Sequence, residues 1–287
     1  MALQFHSGIT RLRPLFQPLL RGDPSGLSWL PALLRLSWAN PDLGRRLADE
    51  CGPLLDWVSQ RRPRPDRALR MHGIASVELE ECFEYRLPPP AAFLRWLIEH
   101  PDRMVWPPEA QMSETARQRR REIFGLEGLP SQDKAKHDAI SELNKSGAIG
   151  SNGKWWAFEG FTRVDCLLET EQFILLIEGK RAEPFSPSTA WYPRRNQVLR
   201  NLDVARQAAL ERNKDYAVLL MAEDHMDPIT ADGIELSLPH LSERQCHAAL
   251  KHYLGCITWS QALARVSFPH TVEEAAQLIR AGQLKNF

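Results

Sequence analysis

The chain has 287 residues, 43% of them hydrophobic, with Lys plus Arg equal to Asp plus Glu at 36 each. Zero net charge excludes the strongly basic character of a dedicated nucleic-acid-binding domain, so any attraction for an anionic polymer has to come from local patches. No apolar run reaches the length of a membrane span, Arg11 and Arg13 interrupt the apolar residues near the N-terminus, and the odd, widely spaced set Cys51, Cys82, Cys166, Cys246 and Cys256 suits neither a disulfide framework nor a zinc site. A cytoplasmic protein without a membrane segment is therefore expected.

In chain order, residues 1–110 read as a separate, mainly helical region. Leu27 to Leu36, Leu43 to Val58 and Ala91 to Ile98 carry helical patterning, with Trp29, Trp38, Trp57 and Trp96 as apolar anchors. Arg61 to Arg67 and the Pro88 to Pro90 run are breaks. Residues 111–235 form the expected α/β core and residues 236–287 a helical C-terminal extension. In that extension Ser242 with Gln245 and Thr271 with Glu274 have capping-box spacing, and Gly282 can end the last helix. His247 and His252 stand five apart, off the spacing that shares a helix face, and read as ordinary surface or interface histidines.

Within the core, residues 133 to 146 are predicted as a helix, with Ala135, Ile140 and Leu143 among its apolar positions. Strands are predicted over Lys154 to Phe158, Phe161 to Leu168 and Gln172 to Arg181. A second helix opens at Pro193, with Val198, Leu202, Ala205 and Ala209 at helical spacing, and Tyr216 to Ala222 gives a further apolar strand. The run Phe173 to Ile177 is continuously apolar, as in a strand covered on both faces. Glu178 and Lys180 follow it, pointing to one side while Ile177 and Gly179 point to the other. Asp165 lies on the preceding strand. Two carboxylates and a lysine where strands leave the core are the parts of a divalent-metal hydrolytic site. Their plainer reading is an ion-paired strand end.

Val164-Asp165 followed by Glu178-Gly179-Lys180 resembles the PD-(D/E)xK nuclease superfamily, with Val164 in place of the proline. The resemblance covers roughly residues 130 to 225. It implies a restriction-endonuclease-like αβββαβ core with a mixed central sheet, flanked here by helical regions. It also implies a Mg²⁺- or Mn²⁺-dependent phosphodiester hydrolase, acting on DNA before RNA, in a defence, restriction or repair setting. Asp165 and Glu178 would bind the metal with the carbonyl of Gly179, and Lys180 would orient the attacking water and stabilise charge on the phosphate. Glu142 matches a position from which some members add a carboxylate, and is otherwise a solvated helix-face residue. Gln197 resembles a glutamine that some branches place near the active site.

From Lys180 to Arg206 six basic residues face two acidic ones, and Arg181, Arg194, Arg195 and Arg200 are the expected contacts to a nucleic-acid backbone. Trp191 and Tyr192 either stack on a base or pin their loop to the core. Arg117, Arg119, Arg120 and Arg121 form a second cluster, backbone-contacting or merely solvated. Two other readings stay open: a catalytically silent module that binds nucleic acid or a protein partner, and an assembly protein whose helical flanks hold a partner or a second copy.

Overall fold

The computed structural model describes residues 12–55, 82–105, 132–149, 159–180, 184–189, 192–226 and 231–266, with isolated residues at 114, 117, 118, 121, 228 and 229. Five strands form one mixed sheet: β1 (Phe83–Leu87), β2 (Thr162–Glu169), β3 (Phe173–Gly179), β4 (Asp215–Ala222) and β5 (Tyr253–Thr258). They lie side by side in sequence order. The β1–β2 and β2–β3 pairs are antiparallel, whereas the β3–β4 and β4–β5 pairs are parallel.

Helices cover both faces. On one lie α1 (Arg13–Gly22), α2 (Leu30–Leu34), α3 (Pro41–Asp49) and α9 (Trp259–Arg265), whose apolar residues share a core with Phe173, Leu175 and Ile177 of β3. On the other lie α6 (Gln197–Arg212), α7 (Ala231–Ser237) and α8 (Glu243–Leu250), packed on Ile174 and Leu176. This two-sided burial is why β3 is continuously apolar rather than alternating. All five side chains from Phe173 to Ile177 are fully buried, each contributing about 1.5–3 kcal/mol by transfer from water. α4 (Ala91–Glu99) and α5 (Gln132–Ser146) form a satellite core through Phe93, Leu94, Leu97, Ala139 and Leu143.

Strands β2, β3 and β4 and helices α5 and α6 fall where the sequence places them, within a few residues. Asn196 rather than Pro193 opens α6, its side chain accepting from the N–H groups of Val198 and Leu199 at 2.8 and 3.3 Å. The predicted strand at 154–158 and the capping pair Thr271 and Glu274 lie outside the described residues.

Two strands depart from the expected helical flanks. β1 sits inside the N-terminal region, and its alternation of buried Phe83, Tyr85 and Leu87 with half-buried Glu84 and Arg86 is that of an edge strand. β5 sits inside the C-terminal region and carries Gly255 at φ +99, beside a register irregularity against β4. Trp38, expected as a core anchor, is 45% exposed. It lies along β5, its backbone N–H donating to Leu254 O at 3.2 Å and its indole N–H to Cys256 O at 2.8 Å. A β-carbon at Gly255 would meet that indole at 2.7 Å, so the close approach requires glycine.

Among the described residues no helix is long and apolar enough to cross a membrane.

Candidate functional site: paired carboxylates at the end of β2 and β3

The β2–β3 ladder sets Cys166 opposite Ile177 and Leu167 opposite Leu176 and ends there, so Asp165 and Glu178 are the residues next to its last pair. Side-chain alternation also breaks at this point, since Val164 packs on the α6 side and Cys166 on the opposite side. The backbone N–H of Gly179 turns to the Asp165 carboxylate, at 2.9 Å from Oδ2. Asp165, Glu178 and Lys180 are each less than 9% exposed, so the constellation is enclosed.

Glu178 is held from three directions. Gln197 Nε2 donates to its Oε1 at 2.5 Å and Asn201 Nδ2 to its Oε2 at 3.2 Å, while Lys180 Nζ stands 3.3 Å from Oε1. Gln197 and Asn201 are one helical turn apart on α6, hence on one face. The Lys180 backbone is fixed too: its N–H donates to Met221 O at 2.7 Å and its carbonyl accepts the Trp259 indole N–H at 3.0 Å. Behind it, a β-carbon on Gly179 would meet Leu12 at 3.1 Å and Trp259 at 3.3 Å. The small residue lets α1 and α9 close against the strand end.

The electrostatics follow from crowding two carboxylates in a dry place. Burial, then the Glu178 carboxylate, push the Asp165 carboxyl up to about 8 against the Gly179 N–H; Glu84 adds to the push and Lys180 opposes it. Burial likewise raises Glu178, against Lys180, Asn201 and Arg200. The opposite end of the same two strands is a control. There Glu169 is bound at 2.7 Å by both Arg212 and Lys214, an ordinary ion-paired strand end. At the Asp165 end two buried carboxylates stand together, and Lys180 pairs with one of them, Glu178, at 3.3 Å.

Two buried carboxylates acting on each other fit a divalent cation. The donors are hard carboxylate oxygens, and their shared charge favours an ion of opposite sign. Among the described residues no three His, Cys, Asp or Glu side chains gather as a metal-binding group. Such an ion would take two protein carboxylates, a backbone carbonyl such as that of Gly179, and water or substrate.

The other expected residues are placed as follows. Glu142 lies on α5, which packs on α4. Arg194 is exposed, and Arg181 and Trp191 lie outside the described residues. Tyr192 pins its loop, packing on Phe93 and donating its hydroxyl to Leu236 O at 2.6 Å.

Arg195 departs from expectation: it is 0% exposed. Its guanidinium is bound by Asp203 at 2.9 Å, Glu159 at 3.4 Å and Ser237 O at 3.0 Å, over the Phe93 ring. A guanidinium so enclosed braces the scaffold and does not face a ligand.

Sequence reasoning passed over three neighbours: Asn201, Trp259 and Glu84. The spacing of Asn201 from Gln197 was a readable signal, and so was the alternation around Glu84. The role of Trp259 depends on a strand that the sequence did not announce.

The chain was compared with protein-family models, with curated proteins and with solved structures, and it matches none of them.

Proposed function

We propose that the protein is a divalent-metal-dependent nuclease of the PD-(D/E)xK type, hydrolysing phosphodiester bonds of DNA in preference to RNA. The observation that carries the reading is the buried pair of Asp165 on β2 and Glu178 on β3, whose charges act on each other, with Lys180 at 3.3 Å from Glu178. The order of the strands supports it: an antiparallel β1-β2-β3 set followed by a helix and a parallel β4 is compatible with a restriction-endonuclease-like core. Here, though, helices α4 and α5 lie between the first strand and the second.

Asp165 and Glu178 would hold the metal, Mg²⁺ or Mn²⁺, which when bound would supply Lewis-acid polarisation of the phosphate and activation of water. Gln197 and Asn201 fix the Glu178 carboxylate, so that its orientation does not have to be found anew in each turnover. Lys180, whose Nζ lies 5.4 Å from the centre of the Phe185 ring, would donate to the attacking water or to a phosphate oxygen. Defence, restriction or repair is the setting in which such an activity is used.

One observation favours a second reading. Both oxygens of Glu178 already accept hydrogen bonds from protein groups, as in a silent module whose carboxylates are structural.

Cleavage decides between them. Plasmid and linear single-stranded DNA incubated with Mg²⁺, Mn²⁺ or EDTA should be cut only with metal, and Asp165→Ala or Lys180→Ala should abolish cutting while leaving the far-UV spectrum and melting curve folded. Cutting by either variant at the wild-type rate would overturn the nuclease assignment. DNA binding in EDTA with no cleavage under any metal would establish the silent module.

A further inference from the structure

The cations near the site are not equivalent. Arg195 is enclosed by Asp203 and Glu159, and Arg206 is bound to Asp203 at 3.2 Å. Lys180 is engaged with Glu178. Arg200 alone among these has no side-chain hydrogen bond or ion pair to the described residues, and its Nε is buried without a partner. A half-buried guanidinium left this way is unfavourable unless something completes it.

Its position indicates what that is. Gln197, Arg200 and Asn201 stand at i, i+3 and i+4 on α6, and the two amides grip Glu178. Arg200 therefore emerges beside the carboxylate pair. Its charge is felt at Glu178, and burial lowers its own pKa from the ordinary arginine value while Glu159 and Glu178 counter that effect. Neither carboxylate closes to a contact with it. A planar fork of donors beside two anions it does not touch is suited to an anion that arrives with the metal, and a phosphodiester offers two non-bridging oxygens in matching geometry.

We propose that Arg200 is a catalytic residue that binds the non-bridging oxygens of the phosphate being cleaved, completing its own hydrogen bonds only when substrate is present. The proposal rests on the nuclease reading, and its test separates the two.

The full chain and its Arg200→Ala and Arg200→Gln variants are compared in two measurements: cleavage of plasmid DNA with Mg²⁺ at saturating DNA, and binding of a labelled duplex oligonucleotide in EDTA across a salt series. The expected result is a loss of kcat of about 100-fold, in the range seen for removal of one preorganised donor. The slope of log Kd against log salt should also fall by about one. Melting temperatures should stay equal or rise, because a cation lacking a partner has been removed. If Arg200→Ala melts early, Arg200→Gln, which keeps the length and drops the charge, is read the same way. Variants within twofold of wild type in kcat, with unchanged salt slope, overturn the proposal while leaving the nuclease reading intact. If wild type cuts nothing, the nuclease reading fails; an unchanged slope then overturns the Arg200 assignment as well, and a reduced slope keeps it as a phosphate-binding residue.

Discussion

Asp165 is where the fold accepts a local penalty. Its carboxyl belongs at 3.8 and is pushed to about 8 by burial and by Glu178. Between about pH 4 and about pH 8 the folded chain without metal holds a proton that the unfolded chain has released. This contribution to stability is complete below the unfolded value, declines as pH rises through the window with a limiting slope of about 1.4 kcal/mol per pH unit, and is gone above the folded value. Asp165→Asn keeps the shape and removes the titration. In EDTA the variant should melt higher than wild type at about pH 8, with little difference at about pH 4, and should cut no DNA. A parallel pH dependence in both proteins would count against the pairing. Glu178 and Lys180 were legible on one side of their strand because alternation is a local rule, whereas Asp165 and Gln197 were joined to them by the family resemblance. The burial of Arg195 was not legible, since an arginine in an Arg-Arg-Asn run looks the same in sequence whether it meets water or Asp203. That distinction is made by residues eight and thirty-six positions away.

Among the elements, α6 matters most because its first turn carries Gln197. Asn196 caps it through two N–H groups and also donates to Pro228 O at 3.1 Å. Asn196→Ala should destabilise the protein by about 1–2 kcal/mol. It should also raise the Mg²⁺ concentration for half-maximal cleavage, because the amide that fixes Glu178 loses its fixed starting point. A stability loss with an unchanged metal requirement would separate the cap from the site. Strands β3 and β4 were readable from their unbroken apolar runs, and β2 from the apolar residues around Asp165. β1 was not recognised although Phe83-Glu84-Tyr85-Arg86-Leu87 alternates, because five residues beside a proline run carry little weight against a helical neighbourhood. β5, six residues with a glycine inside, gains its meaning only from pairing with β4.

At the scale of the whole molecule, the enclosed network of Arg195, Asp203, His240 and Arg206 joins α6 to the α7–α8 segment. Burial alone would raise the Asp203 carboxyl, but Arg195, His240 and Arg206 hold it well below the usual carboxylate range. This contribution is present above the unfolded value near 4 and is lost as pH falls toward the folded one. Asp203→Asn leaves Arg195 without its main partner, and should lower stability at neutral pH by about 3–5 kcal/mol while flattening the acid limb of the stability profile. Urea unfolding at neutral and acidic pH measures both. An acid limb as steep as that of wild type would show that other carboxylates dominate it.

The Trp38 indole lying along β5 has a consequence for the behaviour of many molecules together. A parallel strand at the margin of a sheet offers open carbonyls to any passing chain, and here two of them, on Leu254 and Cys256, are taken by one tryptophan. At the other margin β1 is five residues long and is kinked by Glu84 at φ +50. Neither border is a good template for strand addition. Crowded copies are thereby steered away from fibril-like growth, and any self-association is left to the helical faces.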